Sequence, residues 1–209
     1  KPGGRVKVLT DTDGDGRYDR AATFLDELPF PTGIKVWRKG ILVTSAPDIL
    51  YAEDTDGDDK ADEKQVLYRG FGEGNQQHRV NGLRWGLDNW LHVGNGDSGG
   101  VIKSLDRVLT QARSASEGGT QARSASEGPG SNSGKPSEIN VSGRDLRIRP
   151  DTGDLEATSG GTQFGRETDD WGNWFGNNNS DPLWHYTLDD RYLRRNPHAT
   201  YPPVKKQVA

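Results

Sequence analysis

The stretch DTDGDGRYD, residues 11–19, sets four aspartates and two glycines into nine positions, and DTDGDDKAD, residues 54–62, nearly repeats it. Like charge packed this densely into a short turn is unfavourable unless a cation cancels it. Aspartates at positions 1, 3, 5 and 9 converge their oxygens on one point, and the backbone carbonyl at position 7 adds another; this is a hard-oxygen set suited to Ca²⁺. Asp11, Asp13, Asp15 and Asp19 fill the scheme, with Gly16 at the sharp turn and Arg17 at the carbonyl position. Asp54, Asp56, Asp58 and Asp62 fill it again, with Lys60 at the carbonyl position. The second loop carries Asp59 where the first has glycine, an exchange the backbone tolerates because aspartate enters the left-handed region more readily than most residues. An EF-hand would carry a bidentate glutamate at position 12, and those positions are Ala22 and Gln65.

The flanks decide what the loops connect. RVKVL before the first loop and EKQVLYRGF after the second lack helical periodicity and read as strands. Both loops are therefore expected to be calcium hairpins between strands, and they resemble the DxDxDGxxD turns of integrin-type β-propellers.

Asp11 and Asp54 stand 43 residues apart, close to the length of one four-stranded propeller blade. A second repeat supports that period: GLDNWLHVGNGDS (86–98) and DWGNWFGNNNSD (170–181) share an Asn-Trp pair, 84 residues apart. Three further units read as blades, PTGIKVWRKGILVTSAPDILYAED (31–54), HRVNGLRWGLDNWLHVGNGDSGGVIKS (78–104) and GTQFGRETDDWGNWFGNNNSDPLWHY (161–186). RDLRIRPDTGDLEA (144–157) fits the outer hairpin of the third unit, with PDTG as its turn. The expected fold is all-β, a single propeller domain or fragment over 1–209 with about four blades in view, part of a ring that in full could have six.

One segment breaks the pattern. TQARSASEG occurs at 110–118 and again, unchanged, at 120–128. Residues 110–135 have the composition of a disordered low-complexity insertion within one blade.

Composition bounds the rest. The 28 glycines and a hydrophobic content of 30% suit short strands and many turns better than a helical bundle. With no cysteine there is no disulfide, no thiolate metal site and no CxxCH haem attachment in these 209 residues. A formal charge of −4 argues against nucleic acid as a partner. No run of about 18 apolar residues is present to form a transmembrane helix, and no signal peptide is evident. Absence of methionine and a start at Lys1 read as a processed form or a piece of something larger. Extracellular calcium loops bind at roughly 10⁻⁴ to 10⁻³ M, so the expected location is extracytoplasmic, periplasmic or at the cell surface.

For chemistry, QHRVNGLRWGLDNWLHVGNGDSGG (77–100) stands out. Its His78, Gly82, Leu83, Gly86, Asp88, Leu91, Gly96 and Asp97 resemble a blade motif of the soluble glucose and sorbosone dehydrogenases. That resemblance implies a sugar dehydrogenase in which His78 is the general base and pyrroloquinoline quinone accepts the hydride. The spacing from His78 to Gly82 is four where that family commonly has three, and the quinone-holding Arg-Asn-Pro has its letters only in RRNP, 194–197.

A longer resemblance covers nearly the whole chain outside the insertion. LPFPTGI, APDILYAEDTDGD, GFGEGNQQHRVNGLRWGLDNWL, GRDLRIRPDTG, DDWGNWFGNNNSDPLWHY and YLRRNPH are similar to the propeller region of large planctomycete and verrucomicrobial proteins labelled membrane-bound dehydrogenases. Some of those proteins carry a separate haem-binding region, which implies a haem-bearing domain of the same larger protein as a partner. Two functions stay open at this point: a noncatalytic binding or scaffold propeller, holding a saccharide or a protein through the loops near 72–81 and 177–181, and a quinone-dependent sugar dehydrogenase. The remaining histidines, His92, His185 and His198, show no zinc spacing and read as structural or surface residues.

Overall fold

The computed structural model describes residues 2–105, 138–196 and 198–208. Within them the chain is all-β, built from antiparallel strands, with one short α-helix and one 3₁₀ turn. The expected insertion at 110–135 lies outside the described residues.

Strands β1 (Gly4–Thr10) and β2 (Arg20–Leu28) form a two-stranded hairpin around the first aspartate loop. Strands β3 (Pro31–Trp37), β4 (Gly40–Ser45), β5 (Asp48–Glu53) and β6 (Glu63–Phe71) follow as a meander, with the second aspartate loop between β5 and β6. Next come β7 (Asn81–Trp85), β8 (Leu91–Gly94), β9 (Gly100–Ser104), β10 (Glu138–Asn140), β11 (Arg144–Arg149) and β12 (Asp154–Ser159). The last sheet holds β13 (Glu167–Thr168), β14 (Trp174–Gly176), β15 (Trp184–Tyr186) and β16 (Lys205–Gln207) in sequential order. Helix α1 (Asp190–Leu193), capped by Asp189, sits in the connection before β16.

The blade units read from sequence are redrawn in two places. VIKS, read as part of the 78–104 unit, is β9, and it leaves that sheet to pair with β6 of the preceding one, Arg69 opposite Lys103. Strand β10 adds to β9, so the sheet order is β10-β9-β6-β5-β4-β3. RDLRIRPDTGDLEA does not join the third unit: β11 pairs with β8 and β12, giving the order β12-β11-β8-β7. The reason is side-chain pattern. Leu146 lies opposite Val93 and Ile148 opposite Leu91, all fully buried, whereas the strands of the 161–186 unit are only two or three residues long and present no matching apolar row.

Burial explains the local composition. ILVTSAPDILYA in β4 and β5 is a near-continuous apolar run because both faces of that sheet are covered. Leu42, Ile49 and Tyr51 face a core shared with Leu91, Val93, Leu146 and Ile148 of the next sheet. Val43, Leu50 and Ala52 face the other way, under Val6, Leu25 and Leu28 of the β1–β2 hairpin. Tyr68, fully buried, donates its hydroxyl to the Arg149 carbonyl at 3.1 Å, joining the first of these sheets to the second.

Strand β7 and the chain entering β13 approach most closely at two glycines. A Cβ on Gly82 would lie 2.5 Å from the Gly165 Cα, and Gly82 has φ +63°. Gly82→Ala is therefore expected to cost at least about 2 kcal/mol, from left-handed strain together with overpacking. A thermal melt checks this, and a midpoint unchanged from the parent protein would mean that the two strands do not meet there.

Candidate functional site

The two aspartate hairpins are near-copies in three dimensions. Carboxylate oxygens of Asp11, Asp13 and Asp15 lie within 4.8 Å of one another, as do those of Asp54, Asp56 and Asp58. Asp11 accepts the amides of Gly14 at 2.7 Å and Gly16 at 2.8 Å, and Asp54 accepts those of Gly57 at 2.7 Å and Asp59 at 2.9 Å. Asp59 takes φ +67° against +85° at Gly16, so aspartate does occupy the left-handed corner. The carboxyls of Asp11 and Asp54 are held below the usual range, chiefly by the amides of Gly16 and Gly57 respectively.

The ninth-position aspartates are engaged differently. Asp19 accepts the hydroxyl of Thr12 at 2.6 Å, and Asp62 accepts the amide of Thr55 at 2.8 Å and its hydroxyl at 2.9 Å. These bonds also hold both carboxyls low, and they close each loop end to end. Thr12 and Thr55 were legible in the repeated DTDGD but carry no metal-ligand signature. The amides of Arg17 and Lys60 donate to Asp15 and Asp58 at 2.8 and 2.9 Å, and Lys60 Nζ also reaches Asp58 at 2.8 Å. A salt bridge from Arg20 to Asp59 at 2.8 Å ties the strand after the first loop to the second loop.

A cavity of about 740 Å³ lies where β3 and β7 begin. Side-chain amides of Gln76, Gln77, Asn81 and Asn179 line it, with the aromatic rings of Phe30 and Phe164. Among the described residues, Arg79 is its only charged lining residue. Both loop regions singled out from sequence, 72–81 and 177–181, contribute. None of the six tryptophans does.

His78 stands beside this cavity and does not line it. It ends the 3₁₀ turn Gln76–His78, its carbonyl accepts the Ser98 hydroxyl, and its Nε2 lies 3.2 Å from the side-chain nitrogen of Gln163. Gln163, almost fully buried, also accepts the Asn179 amide on Oε1 at 3.1 Å and the Asn81 side chain on its carbonyl at 2.7 Å. With Oε1 already facing a donor, the Gln163 side-chain NH₂ must point at His78. Arg195 and Asn196 of the RRNP letters lie by Tyr192 and Tyr201 and are absent from the cavity lining.

A family model for a domain of unknown function, DUF7133, matches residues 1–209. The chain belongs to the DUF7133 family. No curated protein matches it, and no solved structure does.

Sequence reading missed one further constellation of this DUF7133 domain, between its second and third large sheets. Asp145, fully buried on β11, accepts the amides of Asn95 at 3.0 Å and Thr162 at 3.2 Å and pairs with Arg166 at 3.3 Å. Burial pushes its carboxyl up, against the pull of Arg166. The Arg166 guanidinium in turn lies 4.8 Å from the Trp174 ring centre and 4.9 Å from that of Tyr186. His92, 3% exposed, stacks on Trp174 with ring centres 3.9 Å apart.

Proposed function

We propose that this domain is a calcium-stabilised β-propeller, or a section of one, acting as a noncatalytic binding or scaffold domain of a larger extracytoplasmic, dehydrogenase-like protein. The observation that carries the reading is the equivalence of the two aspartate hairpins: each caps the outer turn of a hairpin, β1–β2 and β5–β6, and Arg20 links them. Successive sheets bury shared faces, as propeller blades do. The amide-lined cavity is the binding site, and a saccharide suits it, since side-chain amides offer paired donors and acceptors to hydroxyls while Phe30 and Phe164 offer apolar faces. A haem-bearing domain of the same larger protein is the proposed covalent partner.

Calcium fits the donor set: three carboxylates per loop within reach of one ion, in an exposed turn. Thermal melts in EDTA and then in millimolar Ca²⁺ test it. The expected result is a rise in midpoint of roughly 5 °C or more with calcium, by mass action on the folded state. A variant carrying Asp11→Asn and Asp54→Asn should lose that rise. Equal midpoints in EDTA and calcium for the parent protein would overturn the reading.

The second reading, a quinone-dependent sugar dehydrogenase with His78 as base, has in its favour that His78 adjoins the cavity. Against it stands the Gln163 contact, which already occupies Nε2. Dye reduction by aldose in the presence of pyrroloquinoline quinone, lost in His78→Ala, would promote this second reading over the first.

A further inference from the structure

Resting on the cavity as the binding site, we infer that its ligand is an acidic saccharide whose carboxylate pairs with Arg79. Most arginines described in this chain face a carboxylate: Arg5 pairs with Asp26, Arg38 with Asp151, Arg69 with Asp48, Arg84 with Glu167, and Arg147 with Asp88 and Glu156. Arg79 has no such partner among the described residues, although the chain as a whole is acidic. Among the described residues it is the sole charge on a cavity wall otherwise made of amides, the Thr32 hydroxyl, glycine backbone, aliphatic groups and phenyl rings.

The side chain is nonetheless held in place. One terminal nitrogen donates to the Glu73 carbonyl at 3.0 Å, and the guanidinium lies 5.0 Å from the centre of the Phe30 ring. Its Nε is buried without a hydrogen-bond partner. A partly desolvated guanidinium lacking a counter-charge is unfavourable, and an incoming oxyanion relieves that cost with charge-assisted hydrogen bonds. The planar fork of arginine matches a carboxylate in shape as well as charge. The neighbouring amides of Gln76, Gln77 and Asn81 then have the sugar hydroxyls to bind, and the volume of about 740 Å³ accommodates more than one sugar ring.

The test compares trigalacturonate with its fully methyl-esterified form, which loses the charge and gains one methyl group at each carboxyl, by calorimetric or NMR titration of the intact protein. Inorganic sulfate serves as the free-anion probe. The expected result is binding of the acid roughly tenfold or more tighter than the ester, with sulfate much weaker than either. Arg79→Gln should equalise acid and ester, and Arg79→Lys, which keeps the charge, should retain part of the preference; melts of both variants check folding. Equal affinity of acid and ester for the parent protein, or a preference that survives Arg79→Gln, would overturn the inference while leaving the cavity as a saccharide site. Sulfate binding as tightly as the acid would reduce the site to a simple anion site and overturn it as well. If neither acid nor ester binds, the cavity reading itself falls, and this inference with it.

Discussion

Replacing Asp145 by alanine is expected to lower the unfolding free energy by about 3–5 kcal/mol, the range for breaking a buried ion pair by removing one partner. The loss exceeds that of a surface pair because Asp145 is fully buried and its two oxygens satisfy donors from three places: Asn95 after β8, Thr162 after β12, and Arg166 before β13. Without the carboxylate, the Arg166 guanidinium stays buried between Trp174 and Tyr186 with its charge uncompensated. Asp145→Asn keeps the shape and some of the hydrogen bonds and should cost less. The double variant Asp145→Leu with Arg166→Met removes both charges together and should be closer to the parent protein than either single charge removal. Urea unfolding of the four proteins measures this, and an alanine variant within about 1 kcal/mol of the parent would mean the pair is not buried in solution.

Acid is expected to unfold the domain in a first step set by His92. Burial, with Arg166 and Arg147 nearby, pushes this imidazole down to about 3, against the opposing pull of Asp88 at 3.5 Å. The sign follows directly. Between the unfolded value near 6.5 and the folded value near 3 the unfolded chain binds the extra proton, so stability falls as pH drops through that window. A shift from 6.5 to about 3 sets a ceiling on the order of 5 kcal/mol on that loss. His92→Phe retains a ring against Trp174 and carries no titrating group, so its stability should stay nearly level from pH 7 to about pH 4.5 while that of the parent falls. The aspartates held low in the hairpins, Asp11, Asp19, Asp54 and Asp62, act in a separate window: their contribution is present above the ordinary carboxylate value and is lost only as pH falls through their lower folded values. Equal pH profiles for His92→Phe and the parent would show that His92 is solvated.

What the sequence made legible was periodic or charged. The strand EKQVLYRGF is β6 to the residue. Asp59 could be foreseen in the left-handed corner because the chain repeats itself and only one residue differs there. Long-range pairing was less legible. VIKS has the same alternation whichever sheet it joins, and only the vacancy beside β6 decides the matter. RDLRIR reads as a strand with one apolar and one solvated face, yet Asp145 and Arg147 are buried, Asp145 against Thr162 and Arg166 and Arg147 against Asp88 and Glu156 of its own sheet. No local pattern announces such an interface, since its partners, Asn95, Thr162 and Arg166, are spread over about 70 residues of chain. The cavity was visible only as two loop regions. Gln163, which joins them, has no motif at all.

The β9–β10 pair has an evolutionary consequence. Lys103 faces Glu138 across that ladder, at the outer edge of a sheet whose own four strands are already paired. Whatever chain runs between those two anchors, its ends are fixed side by side by backbone hydrogen bonds, and closing a loop twice as long costs only about 0.6 kcal/mol more. A duplication such as the tandem TQARSASEG therefore meets almost no selective resistance from the fold.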